Sequence, residues 1–254
     1  MDAARVEQLV DPAQGPSSAR RLSKSLDEAV ARRVEFLTAY QDAAYAGRYR
    51  SMLERVREAE ARLPASHGAL AEAVARYYFK LLAYKDEYEV ARLYTDGEFK
   101  KRVDEMFEGD YRMVFHLAPP LFAKRDPVTG ELKKRSYGPW MFGAFGLLAK
   151  LKRLRGTPLD VFGYTAERRR ERQLIADYEK LMDELLPNLS AAGYDTAVEL
   201  ASIPEQIRGF GHVKERHLAH AKKREADLLD AFRNPRPPSE PREHKRIDIA
   251  VVSG

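Results

Sequence analysis

The segment YYFKLLAYKDEYEVARLYTDG, residues 77–97, sets five tyrosines among lysines, carboxylates and aliphatics, with no helix breaker before its closing glycine. Such wording does not suit a plain amphipathic helix. Tyrosine rings bury well but their hydroxyls then need partners, and Lys85, Asp86, Glu87 and Arg92 stand close enough along a helix to supply them. The segment reads either as a satisfied core network or as the wall of a site. Its candidate members are Tyr84, Lys85, Asp86 and Tyr88, with His116 from further along the chain.

Outward from this segment the helix extends back to about Ala69, behind a turn marked by Pro64 and Gly68. Before that turn Ser25 and Glu28 form a capping box. Apolar residues then recur at helical spacing from Leu26, Val30, Val34 and Leu37 to Met52 and Val56. The pattern predicts one continuous helix to about Ala61, paired antiparallel with a second over 69–94, a long helical hairpin. A short helix should follow Gly97 and end at Gly109.

The texture then changes. YRMVFHL, 111–117, is β-prone, and Asp126, Pro127, Thr129 and Gly130 make a turn between LFAKR and ELKKRSY, so a small β-hairpin is expected at 111–137. Helices are expected again over 140–154, 166–186, 194–203 and 212–232. The first 20 residues read as a flexible lead-in and 234–254 as a Pro-rich extended tail. Between them, 21–233 is expected to be a single, mainly α domain.

At 254 residues and 44% hydrophobic composition the chain can build a substantial core. Its longest uncharged run, 136–149, is shorter than the roughly 20 residues that span a bilayer. The first residues do not have the pattern of a secretory signal, and the expected location is cytoplasmic, with no membrane partner. The absence of cysteine excludes disulfides, thiolate metal sites and cysteine nucleophiles. Residues 124–172 hold 13 basic and five acidic residues, although the whole chain is only +5. That middle third could face something acidic.

Two basic places are candidates for an anion or an acidic partner. One is Lys150, Lys152, Arg153 and Arg155, beside Trp140, Phe142 and Phe145. The other is Arg208, Gly209, Gly211, His212, Lys214 and Arg216, where backbone N–H groups at a helix start could cradle an anion. The competing reading is structural: a solvated helix face for the first, a glycine cap and tight turn for the second. His212, His217 and His220 do not converge as metal ligands at helical spacing, and no HEXXH or GxSxG is present. His116 reads as a hydrogen-bonded core histidine, with general-base chemistry the alternative. The basic runs lack interleaved aromatics, which places nucleic-acid binding last.

Several blocks resemble a known family. These are LTAYQDAAYA from Leu37, FKLLAYKDEYEVARLYTDG from Phe79, FEGDYRMVFHLAPPLFAKRDPVTG from Phe107, GPWMFGAFGLLAKLKRLRGTPLDVFGYTAERR from Gly138 and IPEQIRGFGHVKERHL from Ile203. In this order they are similar to the C-terminal domain of fused bacterial indolepyruvate ferredoxin oxidoreductases, over about Arg21 to Phe232. The resemblance implies membership of a system that oxidatively decarboxylates arylpyruvates to aryl-acetyl-CoA with thiamine diphosphate and iron–sulfur clusters. It assigns no catalytic, cofactor or metal residue to this chain. The thiamine motif, GDG followed by NN, is not found, since Gly109 and Asp110 are followed by Tyr111. The expectation is an accessory, non-catalytic domain serving assembly, docking or active-site closure, with those catalytic domains upstream of Met1. Its implied partners are the catalytic domains or subunits, with ferredoxin or CoA as further candidates. The alternative is a stand-alone enzyme or ligand-binding protein with a pocket between the 77–97 helix, His116 and the His212 helix.

Overall fold

The computed structural model of the chain describes residues 23–64, 66–117, 135–209 and 211–234. The lead-in at 1–20, the turn expected at 126–130 and all but the first residue of the 234–254 tail lie outside these residues. The fold is mainly α with one small antiparallel hairpin. Among the described residues the first five helices are α1 (Leu26–Tyr40), α2 (Ala43–Glu60), α3 (Ala69–Leu82), α4 (Glu87–Thr95) and α5 (Glu98–Met106). Strands β1 (Phe115–Leu117) and β2 (Arg135–Tyr137) follow. Then come α6 (Met141–Lys150), α7 (Ala166–Leu185), α8 (Tyr194–Ser202) and α9 (Gly211–Arg233), with 3₁₀ turns at Leu151–Leu154 and Ile203–Gln206.

Both arms of the expected hairpin are interrupted. The first breaks at Gln41–Asp42 and the second at Ala83–Asp86. The cause is the same at each break: an extended aspartate caps the helix that follows. Asp42 Oδ1 accepts from Tyr45 N at 2.8 Å, and Asp86 Oδ1 from Glu89 N at 2.9 Å. The two arms still run antiparallel, as the bonds between them show. Glu60 meets Leu70, Tyr49 meets Ala75, Tyr45 meets Leu82 and Tyr40 meets Tyr84.

Those bonds also explain the tyrosines. A helix leaves its last carbonyls without an internal partner, and here phenol groups from neighbouring helices donate to them. Tyr45 caps Leu82 O of α3 at 2.9 Å, and Tyr178 of α7 caps Ala201 O of α8 at 2.9 Å. At the other end of α3, Gly68 offers no side chain as a cap. The buried Glu60 supplies it, accepting from Leu70 N at 3.1 Å and Ala71 N at 3.0 Å while Tyr194 donates to it at 2.5 Å.

The main core joins α1–α3 to α7–α9. A second, smaller core packs Ala91 of α4 against Phe115 of β1 and against Met141 and Phe145 of α6. Tyr94 lies at the middle of this core, its ring stacked on Phe145 at 5.0 Å and edge-on to Phe115 at 5.3 Å. The strands pair Phe115 with Tyr137, His116 with Ser136 and Leu117 with Arg135. Pairing covers only the last three residues of the expected 111–117 strand. Among the described residues no helix is long and apolar enough to cross a membrane.

Candidate functional site

Arg155 follows the 3₁₀ turn after α6 and turns inward, unlike the exposed Lys150 and Arg153 of the same run. Its guanidinium holds Asp86 through Nε–Oδ2 at 2.5 Å and Nη2–Oδ1 at 2.8 Å, and the two side chains are only 2% and 3% exposed. Nη1 donates to Tyr40 O, a last-turn carbonyl of α1, at 2.8 Å, and the guanidinium carbon sits 3.7 Å from the centre of the Tyr40 ring. Tyr40 in turn donates to Tyr84 O at 2.8 Å. Asp86 therefore caps α4 and anchors Arg155 with one carboxylate. Burial works against the Arg155 cation, but the bonds to Asp86 and the neighbouring Tyr40 outweigh it and its pKa is raised.

A second buried aspartate organises the adjoining loop. Asp160 accepts from Gly156 N at 2.8 Å, Gly163 N at 3.0 Å and the Tyr88 hydroxyl at 3.2 Å, and Arg172 Nη1 lies 3.6 Å away. Arg172 also donates to Gly163 O at 2.5 Å. Close by, Arg168 of α7 pairs with Glu87 at the start of α4, at 3.2 and 3.3 Å. Burial, and then Asp86, push the Tyr84 hydroxyl up to about 12. Burial, and then Asp160, raise Tyr88 as well.

Beside this network lies a cavity of about 310 Å³. Arg155, Arg172 and Arg48 supply its charged lining, Gln41 an amide, and Tyr45, Tyr84 and Ile175 its apolar surface, with Gly156 completing the wall. Arg48 is tied back to Glu179 of α7 by bonds of 2.5 and 2.6 Å. The arrangement can recognise an anion through guanidinium N–H groups while an apolar body rests on aromatic and aliphatic surface.

The residues singled out in the sequence are distributed unevenly. Tyr84, Asp86 and Tyr88 join the buried network, and Arg155 joins it from the candidate basic surface. Lys85 is exposed, standing between two buried neighbours at the helix break, and so leaves the expected buried set. His116 is likewise not a core histidine. Strand alternation buries Phe115 and turns His116 outward, where it meets Ser136 Oγ at 3.2 Å. Lys150 and Arg153 are exposed, and Lys152 donates to Ala39 O at 2.5 Å.

In the second basic place the cations have acidic partners: Arg208 pairs with Glu205 at 3.0 Å and Lys214 with Glu171. Gly209 has φ of +88°, the conformation of a tight-turn glycine, and Arg216 is exposed. Gly211 and His212 open α9. The cavity takes Tyr84 from the 77–97 segment and none of its described lining from β1 or α9.

Sequence reasoning missed Tyr40, Arg48, Asp160 and Arg172. Only Asp160 carried a local signal, an aspartate spaced to bond the backbone of Gly156 and Gly163 around its own loop. Among the described residues no group of three His, Asp or Glu is placed to hold a metal ion. Neither the curated proteins nor the solved structures contain a match to the chain. The model of a family of unknown function, DUF6537, matches residues 26–227, and the chain belongs to that family.

Proposed function

We propose that this chain is an accessory, non-catalytic domain of an indolepyruvate-type 2-oxoacid:ferredoxin oxidoreductase, and that it docks on the catalytic chain through the outer face of α6. The observation that carries the reading is that α6 is apolar on both sides. Met141 and Phe145 fill the smaller core, yet Trp140 and Leu147, two helical turns apart, are each 64% exposed, with Gly143 and Ala144 exposed between them. A helix that is hydrophobic all round is normally buried, and an apolar patch with a charged rim suits a protein interface. Lys150 and Arg153 supply that rim. The face falls within the block from Gly138 on which the family resemblance rests, which supports the catalytic chain as the partner. Thiamine diphosphate, the clusters and the decarboxylation chemistry belong to that partner in this reading.

The test is retention of the chain by the thiamine- and cluster-bearing catalytic chain of such an enzyme, with its ferredoxin as a parallel arm, at low and high salt. Retention lost in Leu147→Glu, and weakened by salt and by Lys150→Glu, is the expected result. No retention by either protein, or retention that ignores Leu147→Glu, would overturn the docking assignment.

A further inference from the structure

We propose that the cavity between α1, α2, α7 and the Arg155–Gly156 turn is a binding site for a small organic oxyanion, a carboxylate or a phosphate monoester carrying a short apolar body. The assignment rests on the sidedness of charge around the cavity. Its described lining contains three guanidinium groups and no carboxylate. The acids that accompany those arginines, Glu179, Asp86 and Asp160, are not part of that lining; each pairs with its arginine at 2.5–3.6 Å and also serves another group, Tyr78 for Glu179 and backbone N–H for the two aspartates. Each guanidinium has five N–H donors. Arg48 commits Nε and Nη2 to Glu179, Arg155 commits three bonds to Asp86 and Tyr40 O, and Arg172 one to Gly163 O.

The arginines also differ in depth. Arg48 is half exposed, Arg172 is a third exposed, and Arg155 is sealed in the interior. This grades the lining from exposed to buried, and an oxyanion interacts more strongly with fixed cations at the buried end. A volume of about 310 Å³ is at the small end of ligand pockets, enough for an acid with a compact body but not for a nucleotide cofactor. Tyr45, Tyr84 and Ile175 give that body apolar surface.

The inference does not depend on docking by α6. Ligand binding to the chain alone and retention by a catalytic chain are separate readouts, so either can fail without the other. Calorimetric titration of the full chain uses benzoate, phenyl phosphate, inorganic phosphate and neutral benzamide. The two aryl anions should bind and benzamide should not, and whichever anion binds more tightly identifies the headgroup. Arg48→Gln removes an exposed pair that contributes little to folding, and Gln41→Glu puts a carboxylate into the lining without changing its shape. Each should weaken anion binding about tenfold or more with an unchanged circular dichroism spectrum. Failure of both aryl anions to bind at millimolar concentration, equal binding of benzamide, or unchanged affinity in both variants would overturn the site. Inorganic phosphate binding as tightly as phenyl phosphate would overturn its assignment to an organic ligand.

Discussion

Arg155 and Asp86 are 69 residues apart and form a buried bidentate ion pair. The pair joins the end of α1, the start of α4 and the loop after α6, because Arg155 also reaches Tyr40 O and Asp86 also caps Glu89 N. A buried pair of this kind contributes little net stability compared with apolar substitutes, but leaving either charge alone is costly. Arg155→Met should therefore lower the unfolding free energy by about 3–5 kcal/mol. Asp86→Asn keeps the helix cap, loses the charge and should cost a comparable amount. In the double variant the losses should fall well short of additive, which urea unfolding of the four proteins measures as a coupling energy.

Gly163 is where the Asp160 loop closes on itself. A methyl group added there would lie 2.7 Å from Asp160 Cγ and 2.8 Å from Arg172 Nη1. Neither can simply swing aside, since Asp160 is held by Gly156 N and Tyr88, and Arg172 by Gly163 O. Gly163→Ala should destabilise the fold by about 1–3 kcal/mol. Gly47→Ala meets nothing within 4 Å and sits inside α2, so it should be neutral or stabilising. Thermal unfolding of the two variants separates overpacking from a general effect of glycine replacement.

Glu60 tests whether one carboxylate caps α3 from outside the helix. It is buried and its acceptors serve two backbone N–H groups and the Tyr194 hydroxyl. Glu60→Ala leaves Ala71 N and the Tyr194 hydroxyl without that acceptor, and Leu70 N with only the Tyr194 oxygen at 3.3 Å, and should cost about 2–3 kcal/mol, since bonds to a charged group are among the stronger ones. Tyr194→Phe removes the donor to Glu60 and the longer bond from Leu70 N but keeps both backbone bonds to Glu60, so its cost should be about 1 kcal/mol. If the two losses are equal, the capping role is wrong.

The helical class, most helix ends and the small hairpin were legible in the sequence because apolar period, capping box and glycine stops act locally. The breaks at Asp42 and Asp86 had a local signal too, the preference of aspartate for the cap position, but no glycine or proline reinforced it, and helix-forming neighbours hid it. The network was legible only in part. Tyr84 and Asp86 announced a need for partners, while Arg155 stood in a run that looked like surface. Nothing in the residues between them encodes which arginine of LKRLRG turns inward, since that follows from packing α6 on α4. His116 was misread because its strand was judged apolar as a whole, when alternation assigns only every second residue to the core.

The buried phenols predict how the fold fails at high pH. Burial first, and then neighbouring carboxylates, raise the pKa values of Tyr40, Tyr78 and Tyr84, the last to about 12, and burial raises Tyr178. In the unfolded chain these groups ionise near pH 10. Below that pH both states keep the protons and stability is unaffected. Above it the unfolded state releases protons that the folded state retains, so the folded state loses stability as pH rises. Each such tyrosine costs about 1.4 kcal/mol per pH unit above about pH 10, and four together remove about 6 kcal/mol by about pH 11. That is the scale of a whole domain's stability. Urea midpoints should hold steady to about pH 9 and then fall steeply. Tyrosinate absorbance should rise in two stages, exposed phenols first and the buried set only on unfolding. Tyr40→Phe should make the alkaline loss shallower by one group while costing stability at neutral pH through the lost bond to Tyr84 O. A single smooth titration of all 13 tyrosines with no loss of fold would contradict this account of why they are there.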